Sequence, residues 1–285
     1  MITAFTTDDP NLAAIASANR LFPNLGPITM SQSSGESDYK ALQVWVNRRF
    51  TNNLSYQVSY TWSHATSNVP LTSFTSATTD PFNFNLDKGD SDLDRRQMLV
   101  SNAVFQLPSF KQMGTLGSAV LGNWQINGIV TLLSGIPLDV NTQAPGNYFG
   151  LASNAPAGFR PNLVSGVPIY LNGPDKTVYL NPAAFSLPAP GQFGNLKRGF
   201  VRQPGLQNVD FSVAKNWKVR ERYGLQFRAE MFNLFNHTNF NGFDNGLGAS
   251  FNTANQFTGF SNGNFGKLNS DRGPRNIQFG IKFNF

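Results

Sequence analysis

The last ten residues, Asn276 to Phe285, constrain the fold of this chain more than any other stretch. In an extended strand Ile277, Phe279, Ile281, Phe283 and Phe285 share one face, and Gln278, Gly280, Lys282 and Asn284 share the other. A soluble protein rarely leaves five large apolar groups on a terminal strand with no helix or second sheet following to cover them. A strand with one face on lipid and the other on a wet lumen requires this alternation. The competing reading is an amphipathic strand docked on a soluble sheet.

Composition separates the two only in part. Charged residues make up 13% of the chain, about half of the ~25% usual for soluble domains. Phe and Gly number 26 each, yet the mean hydropathy is −0.26, and no apolar run approaches the ~18 residues of a membrane helix. A chain poor in charge, rich in aromatics and without membrane helices fits a barrel, where only alternate strand residues meet lipid. Cysteine is absent, which excludes disulfides and thiolate metal sites. The net charge of +6 carries no basic run and no recognition-helix pattern, so it is read as solvated loop lysines and arginines; no nucleic acid is expected as a partner.

Seven segments show period-two alternation. Leu54, Tyr56, Val58, Tyr60 and Trp62 alternate with Ser and Thr. Trp124, Ile126, Gly128, Val130 and Leu132 form a second apolar face. Val209, Phe211, Val213 and Trp217 form a third, broken near its end by Lys215. Tyr223, Leu225, Phe227, Ala229 and Met231 form a fourth. Tyr39–Arg49 and Gln97–Leu107 are weaker, and the terminal strand is the seventh. Most run about nine to eleven residues, the length of a tilted strand crossing a bilayer.

The connections alternate in length. Phe50–Asn53 and Lys218–Arg222 are short and Pro108–Asn123 is moderate, whereas Ser63–Arg96, Ser134–Asn208 and Phe232–Arg275 are long. Structureless loops beyond ~12–15 residues are unusual in compact soluble domains, but outer-membrane barrels pair short periplasmic turns with long extracellular loops. Ten of the 17 prolines fall between Ser134 and Leu206, against a hidden helical domain there. The Asn-, Gly- and Phe-rich stretch 232–275 is expected to tuck its rings onto the barrel mouth. The fold class is therefore all-β: an antiparallel transmembrane β-barrel segment with long extracellular loops.

The amino terminus has no basic n-region. Asp8 and Asp9 precede the first positive charge, Arg20, which lies beyond the short apolar patch Leu12–Ala18, so this is no signal peptide. A surface barrel must be exported, so the expectation is a fragment of a longer protein, with residues 1–38 an upstream loop or strand remnant and 39–285 the barrel portion.

Candidate chemical sites are few. Asp87, Asp90, Asp92 and Asp94 form an acidic cluster in an outer loop with the hard oxygens of a weak cation site. Their spacing is not that of a calcium loop, and Arg95 and Arg96 beside them favour charge pairing. His64 and His237 are isolated and read as polar rim residues rather than metal ligands. No nucleophile motif, phosphate loop or dinucleotide fingerprint is visible, so no catalytic residue, metal or cofactor is assigned. Asp210, Arg228, Glu230 and Lys282 fall on the polar faces of the last three strands and form a candidate lumen-facing charge ladder, either bracing the wall against interior matter or contacting a substrate.

Two resemblances add to this reading. Gln278, Gly280, Phe283 and Phe285 match, position by position, the terminal signal by which outer-membrane barrels are handed to their assembly machinery. The chain from Asp38 onward resembles the Oar-like TonB-dependent receptors of Gram-negative bacteria. The resemblance lies in Asn47-Arg48-Arg49-Phe50, Tyr60-Thr61-Trp62-Ser63-His64, Ser91-Asp92-Leu93-Asp94-Arg95-Arg96, Asn123-Trp124-Gln125-Ile126, Ser134-Gly135-Ile136-Pro137 and Arg160-Pro161-Asn162. It is most specific in Val209-Asp210-Phe211-Ser212-Val213-Ala214-Lys215 and in Phe227 to His237. The order of the motifs along the chain carries it, not any one motif.

What this resemblance implies is a barrel on the order of 22 strands, filled by an amino-terminal plug that contacts TonB. This chain would supply about seven of those strands, and TonB would reach it only through the missing plug. Outer-membrane lipid, the assembly machinery and the remaining strands would be its partners, in the cell outer membrane of a Gram-negative bacterium. The function implied is energy-coupled substrate uptake or surface-protein handling. The alternatives are a plug-less porin-like barrel and a secreted β-rich adhesin.

Overall fold

A computed structural model describes residues 33–69, 79–80, 83–144, 159–190, 192–220, 223–254 and 256–285. Most of the expected upstream remnant (residues 1–32) and turn residues 221 and 222 lie outside the described residues. Seven long strands form one antiparallel meander: β1 (Ser37–Thr51), β2 (Leu54–Ser67), β3 (Gln97–Gln106), β4 (Trp124–Leu133), β5 (Leu206–Arg220), β6 (Tyr223–Phe232) and β7 (Asn276–Asn284). Each pairs with its sequence neighbour, and the two-residue strand Gly89–Asp90 adds to the end of β2. All seven alternating segments are strands of this sheet. No described helix is long and apolar enough to cross a membrane.

The register shows why the alternation was readable. Tyr56 stands opposite Ala103, Ala103 opposite Gly128, Gly128 opposite Phe211, Phe211 opposite Met231 and Met231 opposite Ile277. Paired residues point to the same side of a sheet, so one face is apolar across the wall. On the other face Ser55, Val104, Asn127, Ser212, Glu230 and Gln278 form one continuous row. Within it the Asn127 amide donates to Ser212 Oγ at 3.0 Å. A one-residue slip in any pair would move its apolar set to the wrong side.

β1, β2 and β5 are 15, 14 and 15 residues long, beyond the nine to eleven that the alternation suggests. Their additional length includes segments reaching into the loops. At the other end the β1–β2 hairpin closes through Asn52 and Asn53, with φ of 51° and 67°, the left-handed pair of a type I′ turn that asparagine tolerates.

The moderate connection between β3 and β4 is not an irregular turn. It contains helix α1 (Gly114–Leu121), eight residues ended where the Gly122 N–H bonds back to Ser118 O. The long connections also carry more structure than their sequence suggests. Four small antiparallel pairs form within them: 137–138 with 201–202, 162–163 with 185–186, 240–243 with 268–271, and 249–251 with 257–260.

These loop segments gather into a cap at one end of the wall, and the cap holds the main apolar core. Val140, Leu180, Phe185, Val201, Leu247 and Phe265 are buried together, with Phe185 and Phe265 edge to face at 5.5 Å between ring centres. Of the Phe residues in 232–275, Phe243, Phe260 and Phe265 pack into this core against other loops, whereas Phe235 is 73% exposed.

Candidate functional site

Where the cap meets the wall, the acidic cluster forms a collar of ion pairs. Asp94 is fully buried. One of its oxygens accepts from the Ala65 backbone N–H at 2.6 Å, and the other from Arg96 Nε at 2.9 Å and from Arg202. Asp90 accepts from the Arg96 and Arg202 guanidinium groups, and His64 Nε2 lies 2.9 Å from its Oδ1. Burial pushes the Asp90 carboxyl up, but hydrogen bonds from Arg96, His64 and Arg202 outweigh it and hold the group below the usual carboxylate range. Arg202 also donates to Gly135 O at 3.0 Å, and Arg95 to Ser134 O at 2.8 Å. The collar therefore ties the end of β2 to the β2–β3 connection and to both ends of the β4–β5 connection.

Two further pins hold the cap. Buried Arg160 donates to Asp87 Oδ1 (3.1 Å), Leu86 O (2.6 Å) and Leu196 O (3.0 Å). Arg198 lies 3.7 Å from Asp139, whose carboxylate accepts the Gly199 N–H at 2.7 Å. Gly199 has φ of +62°, and a Cβ there would lie 2.4 Å from the Asp90 carbonyl oxygen. The chain passes the collar at that point only because the residue has no side chain. Among the described residues no buried side-chain polar atom lacks a partner.

The four aspartates are thus not gathered around one point. Asp90 and Asp94 share Arg96 and Arg202, Asp87 is held by Arg160, and Asp92 lies beside Ser91. No three acidic or histidine side chains among the described residues are placed to hold a metal ion. Arg160, Arg198, Arg202 and Asp139 were missed as partners because 60 or more residues separate most of them from what they hold. Only Arg160 carried a signal, in its Arg-Pro-Asn motif.

The charge-ladder residues share the polar face, as their alternation requires, but do not link into one ladder. Arg228 and Glu230 approach to 3.5 Å, both substantially exposed. Asp210 instead accepts from Asn208 and from the Asn233 N–H, at 2.8 and 2.9 Å. Lys282 stands opposite Gln226. Near Asp210, the polar face opens into a groove of about 580 Å³ lined by Thr131, Asn208, Asp210, Asn239, Arg272 and Arg275 among others. His237 Nδ1 lies 3.2 Å from Asn239 at its margin. The groove offers amide and guanidinium donors with one carboxylate, a surface suited to hydrogen-bonding a polar solute.

The terminal residues occupy β7, an edge strand among the described residues. Ile277, Phe279, Ile281, Phe283 and Phe285 are all exposed on the apolar face, and Gln278, Gly280 and Lys282 lie on the other. Phe283 stacks on Tyr223 at 6.0 Å and on Phe285 at 6.2 Å, forming an aromatic cluster at the end of the wall away from the cap.

A family model described as an outer membrane beta barrel domain matches residues 4–278. No curated protein and no solved structure gives a significant match. The matched family, the antiparallel meander and its bare apolar face agree. In barrels of this kind long loops face outward and short turns face the periplasm. The chain belongs to the outer membrane beta barrel domain family.

Proposed function

We propose that this chain forms part of the wall and surface loops of an Oar-like TonB-dependent receptor, serving energy-coupled uptake or surface-protein handling. The observation that carries the reading is the pair of open edges. Among the described residues β1 pairs only with β2, and β7 only with β6. An open edge leaves backbone N–H and C=O groups unpaired in hydrocarbon, so a membrane wall must close. Further strands of the same protein are the partners that would close it, around a plug through which TonB acts. Lipid covers the apolar face, and the assembly machinery reads Gln278, Gly280, Phe283 and Phe285. The polar groove and the cap are the surfaces a ligand meets first; the proposal includes no catalytic step and no nucleic acid.

An antibody against the cap, applied to outer membranes of the source bacterium, tests this. The expected species is far larger than 31.3 kDa, shifts its gel mobility on heating, and crosslinks to TonB. A stable monomeric pore of the chain's own mass, with uniform conductance, would favour a plug-less porin and overturn the proposal.

A further inference from the structure

Lys215 lies on the apolar face of β5, between Trp124 and Phe227 in the register, yet it is 1% exposed. A cation facing hydrocarbon is costly unless its donors are satisfied. Here Nζ donates to Val120 O at 2.8 Å and Gly122 O at 2.7 Å, carbonyls at the C-terminal end of α1, where the helix dipole favours positive charge. The same Nζ lies 5.2 Å from the Trp124 ring centre and 5.4 Å from that of Trp217. Both indoles also donate to the helix, Trp217 Nε1 to Ala119 O at 3.0 Å and Trp124 Nε1 to Val120 O at 2.9 Å. Three donors rooted in the lipid-facing side of the wall thus hold α1 against the outside of the sheet, at the short-turn end.

This pinning leaves the helix's apolar side chains uncovered. Met113, Leu116 and Val120 fall at helical spacing and are 57%, 82% and 63% exposed, with Leu121 at 49%. They continue the apolar belt of the wall at the level of its aromatic cluster. Residues 108–123 contain Lys111 and no acidic side chain, a balance matched to anionic headgroups. We infer that α1 is an interfacial anchor whose apolar side inserts into the periplasmic phospholipid leaflet. The inference rests on the family's placement of the wall in the outer membrane. Lys215 and the two tryptophans position the anchor, so the residue that breaks the alternation of β5 is the one that fastens the helix.

The absence of native cysteine makes single-site labelling clean. Leu116→Cys, Val120→Cys, Phe279→Cys and Gly263→Cys variants, each carrying an environment-sensitive fluorophore, are compared in open outer-membrane fragments. The quenchers are a shallow nitroxide-labelled fatty acid and aqueous iodide. The expected result is loss of most emission to the nitroxide, and little to iodide, at residues 116, 120 and 279, with the reverse at 263. If iodide quenches at 116 and 120 as it does at 263 while 279 remains lipid-accessible, the anchor is overturned and the wall stands. If 279 is also reached only by iodide, the membrane placement of the wall fails and the anchor falls with it.

Discussion

The wall and the cap bury opposite things. In the wall, Phe279 and Ile281 are 72% and 75% exposed, while Ala214 and Ala229 are among the few buried apolar residues. In the cap, Leu180 and Leu247 are fully buried, and buried charges are held in pairs such as Asp87 with Arg160. One chain therefore contains two solvent logics. The wall is held by its backbone ladder and leaves its large side chains for lipid, whereas the cap is a small water-facing fold with its own apolar core. The collar of Asp90, Asp94, Arg96 and Arg202 joins them.

Cap and wall should come apart first at the collar. Asp94→Ala removes a fully buried carboxylate that accepts from the Ala65 N–H, Arg96 and Arg202, and each such hydrogen bond to a charged group contributes about 1.5–3 kcal/mol. Hydrogen exchange should show amides of 134–136 and 201–205 losing protection while the β3–β4 ladder keeps its own. Equal loss in both would mean that cap and wall are one cooperative unit.

Core truncation separates the regions next. Leu180→Ala in the cap should cost about 2–5 kcal/mol, and Phe279→Ala in the wall far less, since no protein core packs around that ring. Chemical denaturation followed by cap-specific proteolysis measures the first, and the yield of heat-modifiable protein the second.

Charge placement tests the wall from its other side. Val130→Arg or Phe227→Arg puts a cation into lipid, about 2–4 kcal/mol near the midplane. The same change at Gln125 or Gln226, on the polar face, should cost much less. Folding yield in lipid reads the difference, and similar losses at both sets would refute the assignment of faces.

Acid supplies a gentler separation. The Asp90 carboxyl is held below its ordinary value of 3.8, so its contribution is present above that value and lost as pH falls through the lower folded one. The cap should loosen in that acid range while the wall, held by its backbone ladder, stays intact. The exposed Arg228–Glu230 pair should matter least: replacing either residue by Ala should change stability by about 1 kcal/mol or less.

The two regions were unequally legible, for physical reasons. A strand between lipid and water repeats every two residues, so Leu54–Trp62, Trp124–Leu132 and Tyr223–Met231 declare both their conformation and their faces. Lys215 looked like an error in that pattern because its partner, the end of α1, is some 93–95 residues away in sequence. The cap has no period. Val140, Leu180, Phe185 and Leu247 come from segments rich in Pro, Gly and Asn, and nothing local says that they meet. The acidic run was visible, and Arg96 beside it, but Arg160 and Arg202 reach their aspartates only through the folded loops. The groove near Asp210 is assembled from four strands and a loop, so its shape was not readable either.

A sheet that spans the outer membrane with its cap outside and its short turns inside exposes the two ends to different compartments. Gly263→Cys in the cap and Gln112→Cys beside α1 are both exposed positions, and a membrane-impermeant maleimide on intact cells addresses them directly. Labelling is expected at 263 alone, with 112 labelled only after the outer membrane is permeabilised. Labelling of both in intact cells, or of 112 alone, would contradict that placement.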